Sequence, residues 1–378
     1  MKSRLIYLTV VFFMILSLLP LAMSAPTRAA TSHVYAGQSI QATINASAAG
    51  DTIIVHDGTY NENIFIDKPL TFISDNGSAS TIIDGTAGGD QPAVTIINSS
   101  VTFGTTGHGF GVTHAWYDAG NESGGMGIAV FNTGDSVITN VTIEGNYVYD
   151  CGNIEYGGGG IVLGNMAPGG NLHDSLIAAN EVYNCNFGIA LMNGDTAEIY
   201  GNTIKNNAVH VTAIPIGLLN FASGEIRGNE ISSNEIYDSG FGLFLSGFGG
   251  SIDGNTIKGN TIHDSAIGIT FGEIAGIEGI ESISNNIVED NEISSVAVGI
   301  AFMMSGSGSF SGNTVKGNEI SEYKPHEMLP FGNWGITLFS QGDGDLNDNR
   351  FDGNAIHGWE KGVILWNLGN GSVQGNRF

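Results

Sequence analysis

Polar and apolar positions recur along this chain with a steady beat. The tripeptide Asn-x-(Ile/Val) begins at Asn146, Asn180, Asn207, Asn234, Asn260, Asn291, Asn318 and Asn354, in steps of 34, 27, 27, 26, 31, 27 and 36 residues. Two positions after each Asn stands Val148, Val182, Val209, Ile236, Ile262, Ile293, Ile320 or Ile356, always β-branched and apolar. A period of 26 or 27 carrying such a column is the mark of a solenoid, in which each repeat buries its apolar face only against the next.

Two more apolar segments complete the repeat. One starts at Gly160, Gly188, Gly217, Gly242, Gly268, Gly299, Gly335 and Gly362, each followed by Ile, Leu or Val and then, except at Asn220, by an apolar residue two positions on. The other turns Ile204, Ile231, Ile257, Val288, Val315, Phe351 and Phe378 inward. The alternation has period two, and the leucine-rich 3.6-residue period of a helical solenoid is absent after the first two dozen residues. Three short strands per repeat, parted by Gly and Asn, can close a core only by parallel pairing with the coils above and below, at about 4.8 Å. The expected fold is therefore all-β: a right-handed parallel β-helix, three-sided, with coils of about 27 residues. Asn suits its corners because it tolerates the left-handed backbone and can bond through its amide to the Asn of the next coil.

The N-terminus divides the chain further. Lys2 and Arg4 precede an apolar run from Leu5 to Met23 that ends in Ala22-Met23-Ser24, the pattern of a signal peptide over residues 1–24. Residues 25–50 form a lead-in whose Ser39–Asn45 stretch reads as a short capping helix, and 51–378 form the β-helix. Gly50-Asp51-Thr52-Ile53-Ile54-Val55 and Gly58-Thr59-Tyr60-Asn61-Glu62-Asn63-Ile64 then resemble the opening of pectate-lyase-like β-helix proteins, most closely the periplasmic copper-binding β-helix family. That resemblance covers most of the mature chain and implies the fold, together with a metal-handling accessory role. Copper asks for imidazole or sulfur ligands, for which Met303, Met304 and scattered histidines are the material.

Charge narrows the partners. The chain holds 12 basic and 37 acidic residues, and removing a leader that contains two of the former and none of the latter takes the net charge from −25 to −27. Such a field repels phosphate, which argues against nucleic acid, and attracts cations such as Ca²⁺. No segment after the leader is apolar for long enough to span a bilayer. The expected location is outside the cell or in the envelope. The last segment, Gly375-Asn376-Arg377-Phe378, repeats Asp348-Asn349-Arg350-Phe351 and stops inside a strand, which reads as a truncated product or an end-to-end contact between copies.

Cys151 and Cys185, the only cysteines, each follow their column Asn by five residues. Stacked in neighbouring coils their Cα atoms come within disulfide range, and an exported protein meets oxidants, so a Cys151–Cys185 bridge is expected.

Candidate chemistry lies on the outward positions of the Asn-bearing strand. Tyr149, Tyr183, His210, Tyr237 and His263 make a ring-bearing stripe, an expected platform for a polysaccharide, flanked by Glu235, Asp238 and Asp264 as candidate catalytic carboxylates. Glu292 and Glu319 fall in adjacent coils, where like charges invite a bridging cation. Three long connections leave the same corner and bring Trp116, then Tyr156, then His326, Glu327 and Trp334. The five coils between the second and third connection would form a trough roughly 25 Å long.

Known catalytic patterns fit in fragments only. Gly58–Glu62 resembles one motif of pectin methylesterases whose other segments are missing, and Pro325-His326-Glu327 resembles the Asp-Pro-His segment of alginate epimerases with Lys324 in the Asp position. The leading expectation is a secreted β-helix that binds an uncharged or cation-bridged extracellular polysaccharide, with cleavage as a glycosidase or lyase left open. The alternatives are a non-catalytic adhesin or envelope protein and the metal-handling accessory role.

Overall fold

A computed structural model describes residues 28–88, 91–115, 117–118, 123–134, 136–152, 158–247, 249–272, 282–325 and 333–378. The leader and its cleavage site lie outside them. Among the described residues three all-parallel sheets of 12, 11 and 11 strands run along the molecule and a fourth of 8 strands joins them from Ile138–Thr139 onward, each strand pairing with its equivalent in the neighbouring coils. One turn shows the plan: Glu198–Tyr200, Thr203–Lys205, Ala208–His210 and Ile214–Asn220 contribute one strand to each of four sheets, called here the fourth, first, second and third.

The three expected strand columns are present, and an eight-stranded fourth sheet is added where the repeat seemed to hold only a turn. Its inward residues are Ile138, Leu172, Ile199, Ile226, Ile252, Ile283, Phe310 and Leu346, none more than 2% exposed. Tripeptide strands such as Glu225–Arg227 and Glu230–Ser232 can follow one another because a two-residue corner bends the chain sharply between them. At that corner Gly228 takes φ +59°, while at the next corner Ser233 takes +54°. These are left-handed conformations that L-residues other than Asn and Asp adopt at a cost.

Behind each of these corners stands a buried asparagine. Asn207 Nδ2 donates to Asn234 Oδ1 at 2.9 Å and to Ile177 O at 3.1 Å, and its backbone N–H donates to the same Asn234 oxygen at 3.0 Å. The bonding repeats from Asn146 through Asn354, which is the amide ladder expected of the column. A second ladder runs from Asn202 through Asn376. Each amide thus satisfies backbone groups that the turn would otherwise leave orphaned in a dry interior.

One expected column shifts in register. Gly188 pairs with the coil at Pro215, so that Ile189 meets Ile216 and Gly217 lies two positions further on than the glycine column. The column needs a residue without bulk, since a Cβ on Gly188 would fall 2.3 Å from Val209 Cγ1. The exceptional Asn220 then explains itself: it lies in register with Asn193, which follows Asn165 and Asn132 in a buried column of its own.

At the N-terminal end, α1 spans Ile40–Ala46 and plugs the first coil with Ile40 and Ile44, both fully buried. Ser39 Oγ accepts from Ala42 N, and Glu62 accepts from Ile40 N and from the Ser39 hydroxyl, so a carboxylate sits on the positive end of the helix. Before α1, Thr31–Val34 adds a strand to the first sheet by pairing with Thr52–Val55, a segment not foreseen in the lead-in.

Cys151 and Cys185 are both buried in the core and stand in consecutive coils, but the expected disulfide is not formed and both are free thiols. Each Sγ instead donates to a carbonyl two residues back, Tyr149 O and Tyr183 O, at 3.4 Å. A hydrogen bond with the Cys151 thiol, and then burial, push the Cys185 thiol well up.

Candidate functional site

The second sheet carries the ring-bearing stripe outward. Within Ala208–His210 and Glu235–Tyr237, Val209 and Ile236 point into the core, so His210 and Tyr237 must project to the outside. Tyr183, His210, Tyr237 and His263 occupy one register position in four successive coils. His210 and Tyr237 lie ring on ring at 4.5 Å and 8°, Tyr237 and His263 at 5.3 Å and 4°, and Tyr183 tilts onto His210 at 5.0 Å. Tyr149 continues the position one coil earlier and stacks on Tyr147 at 4.6 Å.

This geometry changes what the stripe can offer. The spacing of the coils makes the rings cover one another's faces, so along the run they present hydroxyl and imidazole edges outward instead of flat platforms. A sugar would meet them chiefly through hydrogen bonds. Burial, followed by the nearby Glu181 and Glu235 charges, raises the Tyr237 phenol above its ordinary pKa and keeps it a donor.

Carboxylates frame the row as expected. Glu181 Oε1 is 3.4 Å from His210 Nε2, and Glu235 Oε1 is 3.9 Å from His263 Nε2. Asp264 Oδ2 accepts from His263 Nδ1 at 2.9 Å, and its other oxygen accepts from Lys324 Nζ at 2.5 Å. The Lys324 ammonium, then the His263 ring, hold the Asp264 carboxyl below its usual range. Asp238, with φ +49°, is exposed at the corner one coil earlier.

A glycosidase acid needs a carboxyl held protonated near neutrality. Among the described residues every carboxyl with a displaced pKa is displaced downward: Asp84, Glu230, Asp264 and Asp345. Asp264 suits the role of a fixed negative charge that orients His263, and Glu235 and Asp238 stand in solvent.

Not every expected residue joins the row. Glu292 and Glu319 pair in register and are exposed, yet Glu319 has His357 as its neighbour at 3.8 Å. Among the described residues no group of three or more His, Cys, Asp or Glu could hold a metal ion. Met303 faces outward while Met304 is buried with the core, so the two thioethers do not converge on one point. Trp116, Tyr156, His326 and Glu327 lie outside the described residues. Trp334, expected in a loop beside the stripe, instead opens the strand Trp334–Ser340 of the third sheet and contacts Trp366 at 5.1 Å.

That third sheet holds what the sequence reading missed. Its outward residues, among them Val162, Ala190, Met192, Leu219, Phe244, Val298 and Ala301, form apolar clusters separate from the core. The signal was in the strands themselves: Ile-Ala-Leu-Met at 189–192 and Ile-Ala-Phe-Met-Met at 300–304 are apolar without alternation. Such runs mark strands whose two faces are both removed from water.

Comparison with known proteins agrees with this architecture. Residues 219–378 match the family described as right handed beta helix region, and residues 122–278 match the periplasmic copper-binding protein (NosD) family. The chain is a right-handed parallel β-helix repeat protein. Solved structures similar to this β-helix include DFA-IIIase from Arthrobacter chlorophenolicus A6 in complex with GF2, at 15% identity, 88% coverage of each chain and a TM-score of 0.53. The same enzyme in complex with DFA-III matches at 15% identity over 88% of this chain and 80% of that one, with a TM-score of 0.51. An alginate lyase from Paenibacillus sp. str. FPU-7 matches over 90% of this chain and 99% of its own at 13% identity and a TM-score of 0.48. No curated protein sequence matches the β-helix significantly. No described helix is long and apolar enough to cross a membrane.

Proposed function

We propose that this protein is an extracellular β-helix that binds an uncharged polysaccharide along the second sheet, with Tyr183, His210, Tyr237 and His263 as the row of contacts. The observation that carries the reading is the stacked run itself. Three consecutive coils hold rings in near-parallel register, so donors and acceptors repeat at the coil spacing of about 4.8 Å. A periodic polymer lying along the helix axis meets the same kind of polar edge at each step.

Charge sets the class of glycan. Glu181, Glu235 and Asp238 stand exposed beside the rings and repel a polyuronate at close range, while a neutral chain meets no such penalty. Ca²⁺ would be needed to bridge these carboxylates to an acidic polymer. Binding is the activity that the ring row itself supports, with Asp264, held below its usual range by Lys324 and then His263, as a fixed negative charge at its end.

Affinity electrophoresis in gels containing xylan, inulin or alginate tests the reading. Retardation by a neutral polymer, weakened about tenfold by Tyr237→Ala at a cost of about 1.4 kcal/mol, is expected. Retardation by alginate alone without added Ca²⁺, or an unchanged Tyr237→Ala variant, would overturn it. Release of reducing sugar from a bound polymer would extend the reading to catalysis.

A further inference from the structure

Near its N-terminal edge the first sheet carries a cluster of rings that the glycan row does not use. His33 stands on the strand Thr31–Val34, and His56 directly follows Thr52–Val55, the strand paired with it. Val34 and Val55 point into the core, so His33, one position before the first, and His56, one position after the second, both come to the outer surface. Their rings meet with His33 Nδ1 3.0 Å from His56 Nε2.

His56 is fixed from two sides. Asp75, at the equivalent place in the next coil, sets Oδ2 2.9 Å from His56 Nδ1. A carboxylate there accepts the Nδ1–H, which leaves the Nε2 lone pair turned toward His33. The Tyr35 ring lies flat on the imidazole at 4.2 Å and 4°, holding it by its face. His33 must then donate from Nδ1, and the contact between the two rings hangs on that single hydrogen. With the hydrogen moved to Nε2 of the same exposed ring, two lone pairs face one gap.

That gap has the width of a chelate. Two imidazole nitrogens bound at about 2.0–2.1 Å to one tetrahedral ion stand about 3.3 Å apart, close to the 3.0 Å found here. Only His33, which lies at the surface, has to turn. We infer that His33 Nδ1 and His56 Nε2 bind one divalent cation of the Zn²⁺ type, with Asp75 orienting His56 from behind and water filling the remaining positions. Imidazole suits such borderline ions, a carboxylate behind a ligating histidine is their usual support, and the surplus of 37 acidic over 12 basic residues draws cations to the surface. The site is independent of the glycan row, which occupies a different sheet.

Titration calorimetry of the full chain with Zn²⁺ alone, in a buffer that does not bind the ion, tests the assignment. One saturable site per chain is expected above the weak uptake of an acidic surface. His33→Gln and His56→Gln should each remove that site, and Asp75→Ala, which leaves both ligands in place, should weaken it about tenfold. His357→Gln, in the last coil, should leave it intact. Uptake indifferent to His33→Gln, loss of the site in His357→Gln, or Asp75→Ala binding as tightly as the wild type would overturn the inference. Urea midpoints of the variants in metal-free buffer should match the wild type, so that a lost site reads as lost ligation. Should a variant fail to fold, ring-proton NMR of the wild type decides: one equivalent of Zn²⁺ shifts the His33 and His56 signals before those of other histidines, or the inference fails.

Discussion

Lys324 Nζ donates to Asp264 Oδ1 at 2.5 Å, joining residues sixty positions apart and fastening the segment after Glu319–Ser321 to the end of the ring row. A backbone bond from Lys324 N to Val296 O at 3.0 Å supports the same attachment.

This attachment is pH-dependent with a definite sign. The Asp264 carboxyl is lowered, first by Lys324, so its contribution is present above the ordinary carboxylate pKa and is lost as pH falls through the lower folded value. Lys324 is raised by the same partner, so its share is present below the ordinary lysine pKa and is lost as pH climbs through the higher folded value. Between those limits the attachment is intact. Because the lysine is 59% exposed, water screens the pair to about 0.5 kcal/mol. Amide exchange at Lys324, corrected for intrinsic rates, should accelerate by up to roughly twofold as pH falls from 6 through the lowered Asp264 value, and Asp264→Asn should show the faster rate throughout. Equal protection in wild type and variant at pH 6 contradicts the prediction.

The asparagine ladder should be the costliest place to cut. Asn234 donates to Asn260 Oδ1 and Ile204 O and accepts from Asn207, all in a dry interior. Asn234→Ala strands partners on both sides and should destabilise by about 3 kcal/mol in urea unfolding. The neighbouring exposed Glu235→Ala should stay within about 0.5 kcal/mol.

Val211 offers the opposite case. It sits at φ +53° in the corner position that Asp238 and Asp264 fill in the next two coils. A β-branched residue is strained there, by about 1–3 kcal/mol. Val211→Asn should therefore stabilise by about 1 kcal/mol, visible as a higher urea midpoint with an unchanged slope. A lower midpoint would show that the exposed isopropyl group matters more than the backbone.

The thiols should behave as buried, unbridged groups. Peptide mapping without reductant should find no Cys151–Cys185 linkage, and iodoacetamide at neutral pH should label neither cysteine until denaturant is added. Rapid labelling of Cys185 in the native protein would contradict both its burial and the raised pKa that its hydrogen bond with the Cys151 thiol, and then burial, give it.

How legible these features were depended on which residues repeat. Columns built from one residue type, such as Asn207 and Asn234 or Val209 and Ile236, could be aligned by eye because the core and ladder tolerate little else. The fourth sheet escaped because Ile199 and Ile226 lie in tripeptides set directly against those of the first sheet across a two-residue corner, so that the two strands read as one strand and its turn. Gly217 misled because glycine occurs both where a Cβ would clash and where it is merely allowed, and only pairing distinguishes the two. The ring row was placed correctly in register, but its stacking followed from the coil spacing acting on side chains, which no linear pattern displays. Stacking also brought Cys151 and Cys185 together as expected, while proximity alone did not close a bond between them. Trp334 was illegible as a sheet residue because an outward apolar residue resembles an inward one until the sheet is built.

The amide ladders impose a grammar on how this molecule can change in size. Along each ladder an asparagine gives one amide hydrogen and its backbone N–H to the Asn oxygen of the coil that follows and accepts the same pair from the Asn of the coil before, so the two chains of bonds have a direction, like a zip with unlike ends. Inserting or removing a full turn leaves each chain unbroken, because the new neighbour offers the same oxygen that the old one did. Inserting half a turn leaves donors facing carbon. Lengthening by duplication of whole turns is thus the inexpensive route, and variation in residue number is pushed out into the connections between strands.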